Sequence, residues 1–132
     1  MTNSSKRLSL KSLLVLDAAT CAVMGAALLL GSAPVAMATQ IPGGVLFWAG
    51  ACLIPVAAFM AISARAAPVP VWAATLVVLG NLLWVAASIA LPTVGLIAPN
   101  PLGWAFLIGQ AGVVALLAKL EFDAMRDRAV SV

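Results

Sequence analysis

The amino-acid sequence predicts an all-α membrane protein whose four transmembrane helices form an up-down bundle. Of its 132 residues, 64% are hydrophobic and 8% are charged, whereas about a quarter of the residues in a soluble domain are charged. The apolar residues fall into four stretches of about 20 residues, the length that a helix needs to cross a bilayer. Prolines cluster between these stretches, where they interrupt the helices. The chain therefore has room for a single four-span membrane domain.

Short links separate the predicted spans, and a polar tail follows the last one. The first and third links carry no charged residue, and every link contains proline. The tail mixes acidic and basic residues at helical spacing, which is typical of a solvated helical end. The predicted spans are residues 13–30, 43–63, 71–91 and 102–118, followed by a cytoplasmic helical tail at 119–132.

The basic residues predict how the chain is oriented. All of them fall on one side of the four-span arrangement. Cytoplasmic loops carry an excess of lysine and arginine, so this bias places both the N and the C terminus in the cytoplasm. The residues concerned are Lys6, Arg7, Lys11, Arg65, Lys119, Arg126 and Arg128.

The first span also has features of a secretory signal peptide. It has a basic start, an apolar run and the small-residue pattern Ala36-Met37-Ala38. The apolar core of a signal peptide is about 7–15 residues long. The run here is longer and is interrupted by Asp17, so a retained span is favoured over cleavage.

Asp17 is a carboxylate inside the first predicted span. A charge at the bilayer centre costs roughly 2.5–3.5 kcal/mol, and Asp17 lies only about 9 Å along the helix from Lys11, in the inner half of the membrane. One interpretation is an ion pair with Arg65 or Lys119, near the cytoplasmic ends of their spans, that fixes helix packing. A second is a proton- or cation-coupling site, because intramembrane carboxylates are functional candidates by default. A third is a site that faces a partner protein.

Asn81 and Gln110 are amides about half-way along the third and fourth spans. Asn81, Trp84 and Ser88 share one helical face. Buried amides usually join membrane helices through hydrogen bonds. The alternative is a polar ligand site lined by Asp17, Asn81, Trp84 and Gln110.

The residue types that carry catalysis are scarce. The chain has no histidine, and Cys21 and Cys52 do not form a C-x-x-C pair. Without these groups, or a carboxylate pair at depth, we expect no catalytic residue, no metal site and no enzyme. Nucleic-acid binding is not expected either, since no basic patch is interleaved with aromatic residues. No cofactor is predicted, although apolar grooves hold lipid, quinone or pigment without a sequence motif.

Several residue patterns, taken together, resemble those of a known group of proteins. They are Asp17 with Gly25, Pro34, Ile41-Pro42, Ala49-Gly50, Pro55, Asn81-x-x-Trp84-x-x-x-Ser88, and Gln110-Ala111 with Leu120-Glu121. The chain resembles small, largely uncharacterised bacterial four-helix inner-membrane proteins. The resemblance implies a multi-pass protein of the bacterial inner membrane and brings no activity with it.

Small multidrug-resistance transporters offer a second comparison. They also have four short spans and a carboxylate in the first. Their carboxylate is glutamate, their aromatic binding pattern is not evident here, and this chain contains no tyrosine. The chain is therefore not assigned to them.

Two functions of different class follow from these observations. The first is a non-enzymatic accessory or structural subunit of a larger inner-membrane complex, whose apolar outer links face a membrane-protein partner. The alternative is a small homo-oligomeric transporter that uses Asp17 as a coupling or cation site. Both place the chain in the lipid bilayer.

Overall fold

Four long helices make up the fold. The computed structural model describes residues 9–131, with side chains as far as Asp127. The helices are α1 (Leu10–Thr39), α2 (Gly43–Arg65), α3 (Val71–Thr93) and α4 (Pro101–Ser131). Each contains a window long and apolar enough to cross a membrane. The predicted all-α, four-span architecture is confirmed.

The first helix is longer than predicted, because α1 continues through most of the segment interpreted as the first link. Its dihedral angles leave the helical region at Gly31 (φ −117°, ψ 21°), and the helix then resumes and runs to Thr39. Pro34 lies in the first turn after this break, where a missing backbone N–H removes no helical hydrogen bond. Pro34, which belongs to the predicted first link, therefore lies inside the helix.

The helices pack as two pairs. α1 packs along α2, α3 packs along α4, and α4 closes the bundle against α1, whereas α2 and α3 touch only slightly. Because consecutive helices run in opposite directions, α1 and α3 begin where α2 and α4 end. We call this the terminal end of the bundle. The weak contact between α2 and α3 leaves a gap in the bundle wall.

Two glycines explain why α1 and α2 approach so closely. A Cβ atom at Gly25 would lie 3.0 Å from the carbonyl oxygen of Gly50, and one at Gly50 would lie 2.8 Å from the carbonyl oxygen of Gly25. Within a bilayer the hydrophobic effect does not drive helices to associate. Close backbone packing between small residues supplies van der Waals attraction instead. Gly25 and Gly50 thus join α1 to α2.

The opposite end of the bundle is fastened by Asn100. Its side-chain Nδ2 donates to the carbonyl oxygen of Ala38 at 2.8 Å, and its backbone N–H donates to that of Thr39 at 3.0 Å. Its Oδ1 accepts from the backbone N–H of Gly103 at 2.8 Å, which caps the start of α4. The end of α1 and the start of α4 are therefore held together.

The close contact between Gly25 and Gly50 predicts that adding one methyl group at Gly50 destabilises the protein. We expect Gly50→Ala to lower the free energy of unfolding by about 1–3 kcal/mol, the usual cost of overpacking, because its Cβ would also lie 2.9 Å from Cβ of Leu28. Gly80→Ala is the matched control, since a Cβ there meets no heavy atom within 4 Å. Unfolding in detergent, followed by circular dichroism, measures both. Equal midpoints for Gly50→Ala and the unmodified protein would contradict the prediction.

Candidate functional site

Three helices bring two carboxyl groups to one amide nitrogen. Nδ2 of Asn81 on α3 donates to Oδ2 of Asp17 on α1 at 2.8 Å and to Oε1 of Glu121 on α4 at 2.9 Å. Cys21, one turn after Asp17, adds a weak bond from its thiol to Oδ1 of Asp17 at 3.6 Å. These four residues form the carboxyl cluster. Both carboxyl side chains are almost fully buried, Asp17 with 1% of its surface exposed and Glu121 with none.

The three helices deliver these side chains to the same depth. At about 1.5 Å per residue, Asp17 lies roughly 10 Å along α1 from Leu10, and Asn81 lies roughly 15 Å along α3 from Val71. Glu121 lies a similar distance before the end of α4. The cluster therefore occupies the half of the bundle nearer the terminal end.

The two carboxyl groups lie close to each other and compete for few donors. Oδ2 of Asp17 and Oε1 of Glu121 accept from the same nitrogen, so the two carboxyl groups lie close together. Oε2 of Glu121 is buried and has no hydrogen-bond partner within the described part of the chain. A carboxylate has only acceptors, so a direct bond between the two groups requires a proton on one of them.

The basic residues predicted to pair with Asp17 lie elsewhere. Nζ of Lys119 bonds Oδ2 of Asp123 at 2.9 Å on the outer face of α4, and Arg65 is exposed at the end of α2. Asp17 instead accepts hydrogen bonds from Asn81 and Cys21. Lys119 lies two residues before Glu121 and so projects from a different face of α4. Among the described residues, Asp17 forms no ion pair with Lys119 or Arg65.

Glu121 is the residue that the sequence reasoning missed. The sequence pattern predicts that Glu121 lies in a solvated tail. In the structure it is fully buried and lies within Pro101–Asp127, the candidate membrane span of α4. Its expected companions Asp123 and Lys119 do lie outside the core, with 31% and 71% of their side chains exposed. The available signal was spacing: Leu117 and Ala118 precede Glu121 by one turn, and both are buried. The apolar face of α4 continues through Glu121, so the pair of carboxyl groups that the sequence did not reveal is present.

Trp84 and Gln110 form a separate polar group that joins α3 to α4. Nε1 of Trp84 donates to Oε1 of Gln110 at 2.7 Å. Nε2 of Gln110 donates to Oγ of Ser88 at 2.8 Å and to the carbonyl oxygen of Leu107 at 2.9 Å. Both amide hydrogens of Gln110 are therefore used inside the protein, as expected for a bond between helices. The four predicted ligand residues are thus divided between two sites.

A cavity of about 420 Å³ lies in the gap between α2 and α3. Its walls are mainly apolar, with Phe59 and Trp84 among them, and buried Cys21 and Asn81 form its inner side. At the terminal end the ring of Phe59 packs against that of Trp72 at 6.0 Å between centroids, which bridges α2 and α3. The cavity therefore leads from the outer surface of the bundle to the carboxyl cluster.

The donor set of the cluster limits what it can bind. Within the described part of the chain, no group of three or more His, Cys, Asp and Glu side chains is placed to hold a metal ion. Two carboxyl groups that share one amide suit a proton or a hydrogen-bonding cation.

Comparisons with protein-family models, with curated proteins and with solved structures returned no match. Function is therefore inferred from the geometry of the carboxyl cluster and the cavity.

The hydrogen bonds of Asn81 and Gln110 predict that replacing these two residues lowers the stability of the protein by different amounts. Asn81→Leu leaves two buried carboxyl groups without their donor, whereas Gln110→Leu removes bonds to neutral partners. Bonds to charged groups contribute about 1.5–3 kcal/mol and neutral ones about 0.5–1.5 kcal/mol, so Asn81→Leu, which removes two bonds to carboxyl groups, is expected to destabilise the protein more than Gln110→Leu, which removes three neutral bonds. Detergent unfolding measures both variants.

A double variant checks the cause of this difference. In Asn81→Leu combined with Glu121→Leu, one of the two carboxyl groups is gone, so the loss of stability should be smaller than the sum of the two single losses. Additive losses would show that the shared nitrogen does not couple Asn81 to Glu121.

Proposed function

We propose that this protein is a small multi-pass membrane transporter whose carboxyl cluster binds a proton and exchanges it for a cationic substrate. The observation that carries the proposal is the single amide nitrogen of Asn81, which holds the buried carboxyl groups of Asp17 and Glu121. The proposal extends the coupling role expected for Asp17 to a pair of carboxyl groups.

The charges of Asp17 and Glu121 support the proposal that the carboxyl cluster binds a proton. Two ionised carboxylates this close together, shielded from water, repel each other and lose their hydration. No lysine or arginine among residues 9–127 forms a recorded ion pair with either group. One proton shared by the pair removes one charge and satisfies one more oxygen. Such a site is poised between a protonated state and a state in which a cation takes the proton's place.

The surroundings of the carboxyl cluster support a site that exchanges a proton for a cation rather than a purely structural set of hydrogen bonds. The Trp84–Gln110 group joins α3 and α4 with its amide hydrogens fully used. The carboxyl cluster leaves Oε2 of Glu121 without a partner and lies behind a cavity. Structural hydrogen bonds in membrane proteins are usually satisfied. An incompletely satisfied acidic pair beside an accessible cavity fits a site that binds and releases ions.

Placement in a bacterial inner membrane with both termini in the cytoplasm is part of the same proposal. It rests on the one-sided distribution of lysine and arginine. In this orientation the carboxyl cluster lies nearer the cytoplasmic face.

An accessory subunit of a larger complex is the second candidate function. The 30 residues of α1 span about 45 Å, whereas the hydrocarbon core of a bilayer is about 30 Å thick. Met37, near the far end of α1, has 84% of its surface exposed. An apolar side chain presented beyond the hydrocarbon core suits contact with a partner protein.

Infrared spectroscopy tests the shared proton directly. The purified protein at neutral pH is expected to show the carbonyl band of a buried carboxylic acid, because the pair retains one proton. The double variant Asp17→Asn with Glu121→Gln should abolish the band, because burial alone favours the protonated form of a single remaining carboxyl group. Asp123→Asn is the control and should leave it unchanged, since Asp123 lies on the outer face of α4. A spectrum of the unmodified protein without this band contradicts the proposal.

Purification from native membranes in mild detergent separates the two candidate functions. Mass spectrometry of the intact particle should show only copies of this chain if it is a transporter. A second protein in fixed stoichiometry would instead favour the accessory subunit.

A further inference from the structure

We propose that the cavity between α2 and α3 binds a hydrophobic primary amine in its protonated form, with the ammonium group held at Asn81. This inference rests on the proposed function and names the substrate class of the same site.

The amide of Asn81 determines which ligand atom can be recognised. Its Nδ2 hydrogens point to the two carboxyl groups, so its Oδ1 is the atom left for a ligand. No hydrogen bond to Oδ1 is recorded among the described residues. Asn81 also forms part of the cavity wall. A ligand in the cavity therefore meets an acceptor, which requires an N–H or O–H donor on the ligand.

The carboxyl groups behind Asn81 favour a donor that carries positive charge. Asp17 and Glu121 are buried, and Oε2 of Glu121 lacks a partner. An ammonium group at Asn81 would lie next to this acidic pair in a medium of low dielectric constant, where opposite charges attract strongly. A quaternary ammonium has no N–H to give Oδ1, whereas a primary ammonium has three. A primary amine satisfies both requirements.

The rest of the cavity selects an apolar body. Its volume of about 420 Å³ lies in the range of small-molecule sites, roughly 300–1,000 Å³. Phe59 and Trp84 offer aromatic surface, and the exposed residues Cys52 and Leu76 lie where the cavity meets the outside of the bundle. A hydrophobic amine can therefore reach the site sideways from the bilayer.

Charge balance links binding to proton release. When the ammonium group arrives, the proton shared by Asp17 and Glu121 leaves, and the net charge of the occupied site is unchanged. Acidic solution that keeps both carboxyl groups protonated should therefore weaken amine binding.

Dansylcadaverine, a fluorescent primary amine with an aromatic body, is a suitable probe for the purified full-length chain in phosphatidylcholine vesicles. We expect saturable binding that increases its fluorescence, releases protons and weakens as the pH falls. N-acetyl-dansylcadaverine has the same body without the charge and should bind at least tenfold more weakly. Equal binding of the two probes would overturn recognition of the ammonium group.

A matched pair of glycine variants tests the location. Gly80 forms part of the cavity wall and has no heavy atom within 4 Å of a Cβ placed on it, so the side chain of Gly80→Leu is expected to occupy part of the cavity. Gly112 has equally open surroundings and is not part of the wall. We expect Gly80→Leu to weaken dansylcadaverine binding at least tenfold and Gly112→Leu to leave it unchanged. Equal binding by Gly80→Leu and the unmodified protein, or an equal loss in both variants, would overturn the cavity assignment.

The infrared band distinguishes failure of this inference from failure of the proposed function. If the carboxylic-acid band is present and dansylcadaverine does not bind, the amine site is wrong and the proton site stands. If the band is absent from the unmodified protein, the proposed function itself is wrong.

Discussion

The structure depends on how the buried carboxyl groups of Asp17 and Glu121 find hydrogen-bond donors. Asp17 and Glu121 come from helices at opposite ends of the chain, and both turn to the amide nitrogen of Asn81. The backbones of α1 and α3 do not approach each other closely, so this amide is what ties α3 to α1 at the level of the cluster. These hydrogen bonds constrain how the helices pack, because any arrangement that separates Asn81 from Asp17 or Glu121 leaves a buried carboxyl group without its donor.

The gap between α2 and α3 follows from how the other contacts are distributed. Because Gly25 and Gly50 have no side chains, the backbones of α1 and α2 are in direct contact there. Trp84 and Gln110 join α3 to α4 through side chains. These two pairs are then connected through α1 and α4, which leaves α2 and α3 without a comparable link apart from the rings of Phe59 and Trp72. The cavity is thus a result of the bundle's own packing pattern.

The sequence predicted the architecture well because hydropathy and proline placement report directly on membrane spans. It failed at Gly31–Thr39, since a helix can break at one residue and resume with Pro34 in its new first turn. It failed at Glu121 for a related reason. A mixed-charge segment looks solvated when its composition is averaged, and only its position on the face of Leu117 and Ala118 marks Glu121 as buried. The pairing of Lys119 with Asp123 then removed an expected partner of Asp17.

The contrast between the two polar groups is the strongest physical argument that one of them acts on a ligand. Gln110 uses both amide hydrogens and its carbonyl oxygen within the protein, so a ligand there would have to break existing bonds. Asn81 uses its amide hydrogens on two acidic groups, and one oxygen of Glu121 remains unpaired. A donor that carries positive charge would add bonds at this site and remove repulsion between the carboxyl groups. A smaller cavity of about 120 Å³ lies beside Gln110, but the polar atoms of Gln110 are already bonded within the protein, so the proposed ligand is placed at the carboxyl cluster and its larger cavity.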